Sequence, residues 1–139
     1  MNTVYDRPVP YAVYDMSAPA IDFLAVLHAA APWAVHRTLD ECRAMLANST
    51  AYVVAYADGL PVGCGRVISD GVARAYIEDV AVSTKRQGVG RGIVTRLEAE
   101  VSNKWCHSER IELVTKEPEF WHALGYVQKS TCHMVKVMR

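Results

Sequence analysis

Tyr76-Ile77-Glu78-Asp79-Val80-Ala81-Val82-Ser83-Thr84-Lys85-Arg86-Gln87-Gly88-Val89-Gly90-Arg91-Gly92-Ile93-Val94 is the stretch whose reading decides the fold. Apart from Glu78 and Asp79, its first seven residues are apolar and mostly β-favouring, which marks a strand. A polar, glycine-rich segment follows, and after it Ile93, Val94, Leu97 and Val101 fall on one face of a helix. Strand, glycine loop and helix together suit an anion. A helix start exposes unpaired N–H groups at the positive end of its dipole, and glycines let the chain curl so that several of them converge. The segment from Ser83 to Leu97 carries Lys85, Arg86, Arg91 and Arg96 and no acidic residue, so phosphate or pyrophosphate is the natural ligand. Two other phosphate loops fail on spacing. A G-x-G-x-x-G from Gly88 needs glycine where Ile93 stands, and a P-loop needs a Gly-Lys-Ser/Thr that the chain lacks.

Upstream of this unit the chain reads as a meander. Ala51 to Tyr56 is β-rich, Asp58-Gly59 is a hairpin turn into Leu60 to Ile68, and Asp70-Gly71 repeats the device before Val72 to Val82. Before the meander come a short strand from Val9 to Tyr14 and a helix to about Ala30, with Ser17 as its N-cap and Pro19 at its opening. Pro32 marks that helix's end. A second helix begins near Thr38, where Glu41 completes a capping box, and carries the stripe Leu39, Cys42, Met45 and Leu46 as far as Asn48 and Ser49. Downstream, Arg110 to Thr115 reads as a strand, and Glu117-Pro118 opens a short helix through Phe120, Trp121 and Leu124 that stops at Gly125. Tyr126 to Gln128 and Cys132 to Met138 are expected to close the fold as a strand pair. The order predicts one mixed α/β (α+β) domain over residues 1–139, with a mostly antiparallel central sheet flanked by helices.

Composition narrows the function classes. With 51% apolar and 22% charged residues the chain is globular. Fifteen Lys and Arg against fifteen Asp and Glu leave no net charge, which argues against a general affinity for nucleic acid or anionic lipid. The stretch Phe23 to Val35 is broken by His28 and Pro32 and is too short to span a bilayer. Residues 1–8 hold no apolar core of a signal peptide, so a soluble, cytoplasmic protein with no membrane partner is expected. Cys42, Cys64, Cys106 and Cys132 contain no C-x-x-C pair and read as reduced thiols. Cys106-His107 and Cys132-His133 are sequence neighbours that point to opposite faces of an extended chain, so no metal site is expected.

Tyr76 to Val82 followed by Gln87-Gly88-Val89-Gly90-Arg91-Gly92 resembles the signature of the GNAT superfamily of N-acetyltransferases, whose loop reads Q/R-x-x-G-x-G/A after a strand ending in apolar-Ala-Val. Asp70-Gly71 before that strand is similar too, and Phe120-Trp121-His122-Ala123-Leu124-Gly125-Tyr126 resembles the family's F-Y-x-x-L-G-F. Two registers of the loop stay open. Gln87, Gly90 and Gly92 fit without a gap, whereas the stripe of the following helix fits better with Gly88 and Gly90 as the signature positions and Lys85 in place of Gln or Arg.

The resemblance implies acetyl-CoA as cosubstrate. Backbone N–H groups of Gln87, Gly88, Val89, Gly90, Arg91 and Gly92 would hold the pyrophosphate, and Lys85 and Arg86 would meet the remaining phosphates. The edge of Val80-Ala81-Val82 would pair with the pantetheine amides as a peptide adds to a sheet, and a main-chain N–H near Val80 or Val82 would polarise the thioester carbonyl. Trp121 stands where the family has its Tyr acid; an indole is no useful acid, but it could cover the pantetheine arm. Trp33, in the segment between the first two helices, would wall the acceptor pocket, with His28 or His36 lining it or lying on the surface.

Glu78 and Asp79 are the candidate catalytic groups. Strand neighbours point to opposite faces, so at most one is expected to look into the acceptor cleft as a general base, directly or through water; the bland alternative is that both pair with cations. The activity implied is acetyl transfer to the primary amine of a small molecule. An amino sugar is one candidate, because Ile77 to Val82 also looks like the strand of glucosamine-6-phosphate N-acetyltransferases. The rivals are transfer to a protein lysine or N-terminus, and a CoA-binding sensor module without turnover. Dimerisation is common in the family, and nothing in the sequence fixes a homodimer.

Overall fold

The computed structural model describes residues 12–83, 88–104 and 110–138. Along the chain lie β1 (Val13–Asp15), α1 (Ala20–Ala30), a 3-10 turn (Pro32–Ala34), α2 (Leu39–Ala47), β2 (Ala51–Ala57), β3 (Leu60–Ser69), β4 (Arg74–Val82), α3 (Val89–Lys104), β5 (Arg110–Glu112) and α4 (Pro118–His122). The strands form one five-stranded sheet in the order β1-β2-β3-β4-β5. The first three pairings are antiparallel and β4–β5 is parallel, so the sheet is mixed. Tight turns join β2, β3 and β4, whereas α3 intervenes before β5 and lets that strand run parallel.

Each face of the sheet buries its own apolar layer. On one side Val53, Val67, Ala75 and Ile77 pack with Val89, Ile93, Val94, Leu97 and Val101 of α3. On the other, Val54, Cys64 and Ala81 pack with Phe23, Val26 and Leu27 of α1 and Cys42 and Leu46 of α2. This is the three-layer answer to helices and strands that are each apolar on one side. Among the described residues no helix is long and apolar enough to cross a membrane.

Most elements fall where the sequence places them, and the Thr38–Glu41 capping box is present in both directions. Four details differ. The N-cap of α1 is Pro19, because both the backbone N–H and the hydroxyl of Ser17 donate to Asp15 instead. The expected strand from Val9 is described only from residue 12, its earlier part lying outside the described residues. β5 stops at Glu112 rather than Thr115, and α4 stops at His122, after which Gly125 (φ 94) and Tyr126 bond back to His122 and Trp121. The closing strand pair is not formed: residues 126–138 carry no strand, and Val127, Met134, Val135, Val137 and Met138 are all exposed. An apolar run takes up a strand only where a sheet edge and a covering layer bury it, and this segment has neither among the described residues.

Candidate active site

The site is built around a defect in β4. Arg66 of β3 is paired with Glu78, while Cys64 is paired with Ala81, so Gly65 faces both Asp79 and Val80. Asp79 is the extra residue of this β-bulge and lies in the left-handed region (φ 58), a conformation that Asp tolerates better than most side chains. The bulge overturns the alternation expected for adjacent strand residues. Ala75 and Ile77 before it and Val80 and Val82 after it belong to the α3 side, whereas Ala81 belongs to the α1 side. Glu78 and Asp79 therefore both face the α1–α2 side, and both reach the Arg66 guanidinium.

The two carboxylates live in different surroundings. Asp79 has a side chain only 1% exposed, and it accepts from Arg66 Nε at 2.7 Å and Arg37 Nη1 at 2.9 Å. The Trp33 indole N–H points at the same Oδ1 from 3.4 Å. Burial pushes the Asp79 carboxyl up, but the two guanidinium hydrogen bonds and their charges outweigh it and hold the pKa below the usual range. Such a group stays ionised and is engaged at every lone pair that matters. Glu78 is the opposite case: its side chain is 37% exposed and its single ion pair among the described residues, to Arg66 Nη2, is long at 3.8 Å. Burial, then the neighbouring Asp79 charge, raises the Glu78 pKa against the pull of Arg66 and Arg37. Of the two candidate catalytic groups, Glu78 is the more exposed and has a raised pKa, whereas Asp79 is buried between two guanidinium groups.

Beyond the bulge, β4 has an open edge. β5 pairs with it only from Arg74 to Tyr76, so from Ile77 to Val82 the strand pairs only with β3 among the described residues. Among the described residues no strand pairs with Val80, Ala81 and Val82 on that side. An open edge of this kind can take an extended, amide-bearing chain by β-addition.

The end of β4 lies beside the start of α3, where a Gly90 Cβ would be 3.8 Å from Val82 Cγ2. Gly88, at φ 88, makes a turn that L side chains rarely make, and Val89 opens the helix. The first helical bond described is from Gly92 N–H to Gly88 C=O at 2.9 Å. N–H groups of Val89, Gly90 and Arg91 precede it and point out of the helix start. Lys85, Arg86 and Gln87 lie outside the described residues. Gly92 does not belong to the anion site, since its N–H is spent inside the helix and a Cβ there would run into the Tyr14 side chain. Arg96 is also removed from it, lying 3.7 Å above the Tyr14 ring and donating to Gly92 C=O. These contacts of Gly92 leave Gly88 and Gly90 as the glycines at the described helix start.

Two tryptophans part company. Trp33 is 55% exposed in the 3-10 turn and reaches the bulge through Asp79. Trp121 is 7% exposed, packs edge to face against Phe120 and Tyr126 and belongs to the α3-side core, so it is not placed to cover a bound arm. The Phe120 ring packs against the α3 start, 3.1 Å from where a Gly90 Cβ would be. His28 is exposed and its Nε2 pairs with Arg37 C=O at 2.9 Å. Burial holds the Cys42 and Cys64 thiols above their ordinary pKa, so neither is an activated nucleophile.

Sequence reasoning did not single out Arg37 and Arg66, the two guanidinium partners of Asp79. A signal for Arg66 was present: a carboxylate in a central strand calls for a cation, and Arg66 is the one basic residue in the neighbouring strand of the hairpin.

The profile of the acetyltransferase (GNAT) family matches residues 16–126, from just after β1 to just beyond α4. The chain belongs to the GNAT acetyltransferase family. Solved structures agree on the fold. A Staphylococcus aureus protein superposes with a TM-score of 0.74 at 23% identity, covering 91% of this chain and 99% of its own. A GNAT family acetyltransferase from Streptococcus pneumoniae gives 0.68 at 21%, with 92% and 97% covered. Glucosamine-6-phosphate N-acetyltransferase from Arabidopsis thaliana gives 0.70 at 15%, with 92% and 99% covered. No curated protein sequence matches the chain significantly. As an acetyltransferase of this family, the chain presents a β4 edge that β5 pairs with only from Arg74 to Tyr76, a glycine-turned helix start and the half-exposed Glu78.

Proposed function

We propose that this acetyltransferase uses acetyl-CoA to acetylate the primary amine of a small molecule, with Glu78 as general base. The observation that carries the reading is the separation of the two carboxylates: Asp79 is neutralised by two guanidinium groups, and Glu78, next to the open β4 edge, is half-exposed with a raised pKa. The residues present suit the cosubstrate. Unpaired main chain from Val80 to Val82 suits the amides of the pantetheine arm, and the α3 start suits the pyrophosphate.

In the reaction Glu78 takes the ammonium proton directly or through one water, giving the neutral amine that attacks the thioester carbon. A main-chain N–H on the free β4 edge near Val80 stabilises the oxyanion that develops. The C–N bond forms, the oxyanion collapses and the C–S bond breaks; the thiolate leaves unaided, because Trp121 is a core residue with no acidic proton to give, and the second amine proton passes to the departing thiolate through water as the amide forms. Trp33 offers the acceptor an apolar wall on the α1–α2 side. An amino sugar is the first acceptor to try, given the fold shared with the plant glucosamine-6-phosphate enzyme.

The test is thiol release from acetyl-CoA with a panel of amines: glucosamine 6-phosphate, free amino sugars, polyamines, amino acids and a lysine peptide. Release above the hydrolysis blank with a small amine, lost in Glu78→Gln, supports the reading. Acetyl-CoA binding without release for any amine would establish a sensor module instead, and release with the peptide alone would reassign the acceptor class.

A further inference from the structure

Asp79 is where three elements meet, and its chemistry is expensive for a residue that only fills a bulge. A left-handed backbone is met most cheaply by glycine and nearly as well by asparagine, neither of which would bury a charge. Asp79 instead holds an ionised carboxylate at 1% side-chain exposure and keeps two arginines ordered around it. A buried ion pair is seldom a net gain in stability over apolar packing, so its presence here asks for another reason.

The geometry of the α1–α2 connection supplies one. Residues 32–37 present Trp33, Val35 and His36 to solvent, and only Ala34 is buried. The segment is tied to α1 by the His28–Arg37 bond and by its own turn bonds. Among the described residues, both of its hydrogen bonds to the sheet end on Asp79 Oδ1, one from Trp33 and one from Arg37. The other carboxylate oxygen is held by Arg66, which also reaches Glu78.

We infer that Asp79 is a positioning residue that locks the 32–37 segment onto the β4 bulge, and that this link sets Trp33 and Glu78 at a fixed distance across the acceptor side. The inference rests on the acyl-transfer reading for its consequence in turnover, but the link itself is read without any acceptor. Arg37→Met cuts the connection arm and leaves the Arg66–Asp79 pair in place. Asp79→Gly keeps the backbone conformation and removes the carboxylate, and Asp79→Asn keeps both the conformation and one acceptor oxygen.

The first measurement is the Trp33 indole N–H in a proton–nitrogen correlation spectrum of the full chain, assigned by Trp33→Phe. In Arg37→Met and Asp79→Gly this resonance is expected to move toward that of free tryptophan and to exchange with water at least 10-fold faster, while the Trp121 signal stays in place; Asp79→Asn should lie between. The second is a kinetic split with the panel amine that gives the fastest thiol release. Arg37→Met should raise the amine KM about 10-fold or more, with kcat changed less than about 3-fold and acetyl-CoA affinity within about 2-fold. A lowered melting temperature with the Trp33 resonance and the amine KM unchanged in both variants would overturn the inference and leave Asp79 as a stabilising pair only. If no amine is turned over, the acyl-transfer reading fails and the indole measurement still decides the link.

Discussion

Replacing Arg66 by methionine should destabilise the protein in a way that depends on pH, and both the size and the sign follow from the site. Methionine keeps the unbranched stem and deletes the guanidinium. Its loss takes from Asp79 the 2.7 Å partner, from Glu78 its 3.8 Å partner and from Ser49 Oγ a donor at 3.3 Å. Asp79, its side chain 1% exposed, keeps Arg37 as its one charged partner among the described residues, beside the Trp33 indole N–H at 3.4 Å. Breaking a buried pair by removing one partner costs about 3–5 kcal/mol, and the surviving Arg37 places this case at the lower end, about 3 kcal/mol at neutral pH. For a domain of this size that corresponds to a fall in Tm of roughly 10 °C.

The pH dependence separates this account from a loss of packing. In the parent protein the Asp79 pKa is depressed, so its stabilising contribution is complete above the unfolded value and is lost only as pH falls through the folded value below it. Between pH 5 and 7.5 it adds no slope. In Arg66→Met, burial is no longer outweighed, the folded pKa rises above the unfolded one, and the penalty is present at high pH and vanishes as the group protonates. Glu78, already raised, moves in the same direction. Urea denaturation of both proteins at pH 7.5, 6 and 5 should therefore show a stability difference of about 3 kcal/mol that shrinks by more than half across the series. A difference below about 1 kcal/mol, or one that does not change with pH, would refute the claim that Asp79 is a buried charge held by Arg66.

Three further outcomes test the site and the fold. Glu78→Gln should lower kcat/KM about 100- to 10,000-fold and flatten the acidic limb of its pH profile, a limb that in the parent lies above the ordinary carboxylate range because the Glu78 pKa is raised; survival of that limb would remove Glu78 as the base. Gly92→Ala, whose Cβ meets Tyr14, should cost about 1–3 kcal/mol and leave acetyl-CoA affinity unchanged by calorimetry, whereas Gly90→Val at the helix start should weaken that affinity at least 10-fold; the reverse pattern would restore the other loop register. Thr38→Ala removes one half of the capping box, the 3.2 Å bond from Glu41 N–H, and should cost about 1 kcal/mol by urea denaturation, with no change in acetyl-CoA affinity.

Much of the fold is local chemistry and can be read from the chain itself. Asp58-Gly59 and Asp70-Gly71 dictate turns that fold β2, β3 and β4 into a meander, Thr38 and Glu41 start a helix, and the stripe of Ile93, Val94, Leu97 and Val101 sets which side of α3 meets the sheet. The glycine segment likewise declares an anion-binding helix start, because the requirement for N–H groups without Cβ obstruction is met within a few residues. What the sequence could not settle depends on partners distant along the chain. A period-two reading sends Glu78 and Asp79 to opposite faces, and it fails because one residue too many opposes Gly65; a bulge is a property of two strands in register and leaves no mark in either alone. The same holds for the roles that follow. The different surroundings of the two carboxylates come from Arg37 and Arg66, 42 and 13 residues away from Asp79, since a pKa is set by the charges and burial that the folded chain gathers around a group. Trp33 and Trp121 are equally plausible walls of a pocket as letters in a sequence, and only packing sends one to solvent beside the bulge and the other into the core.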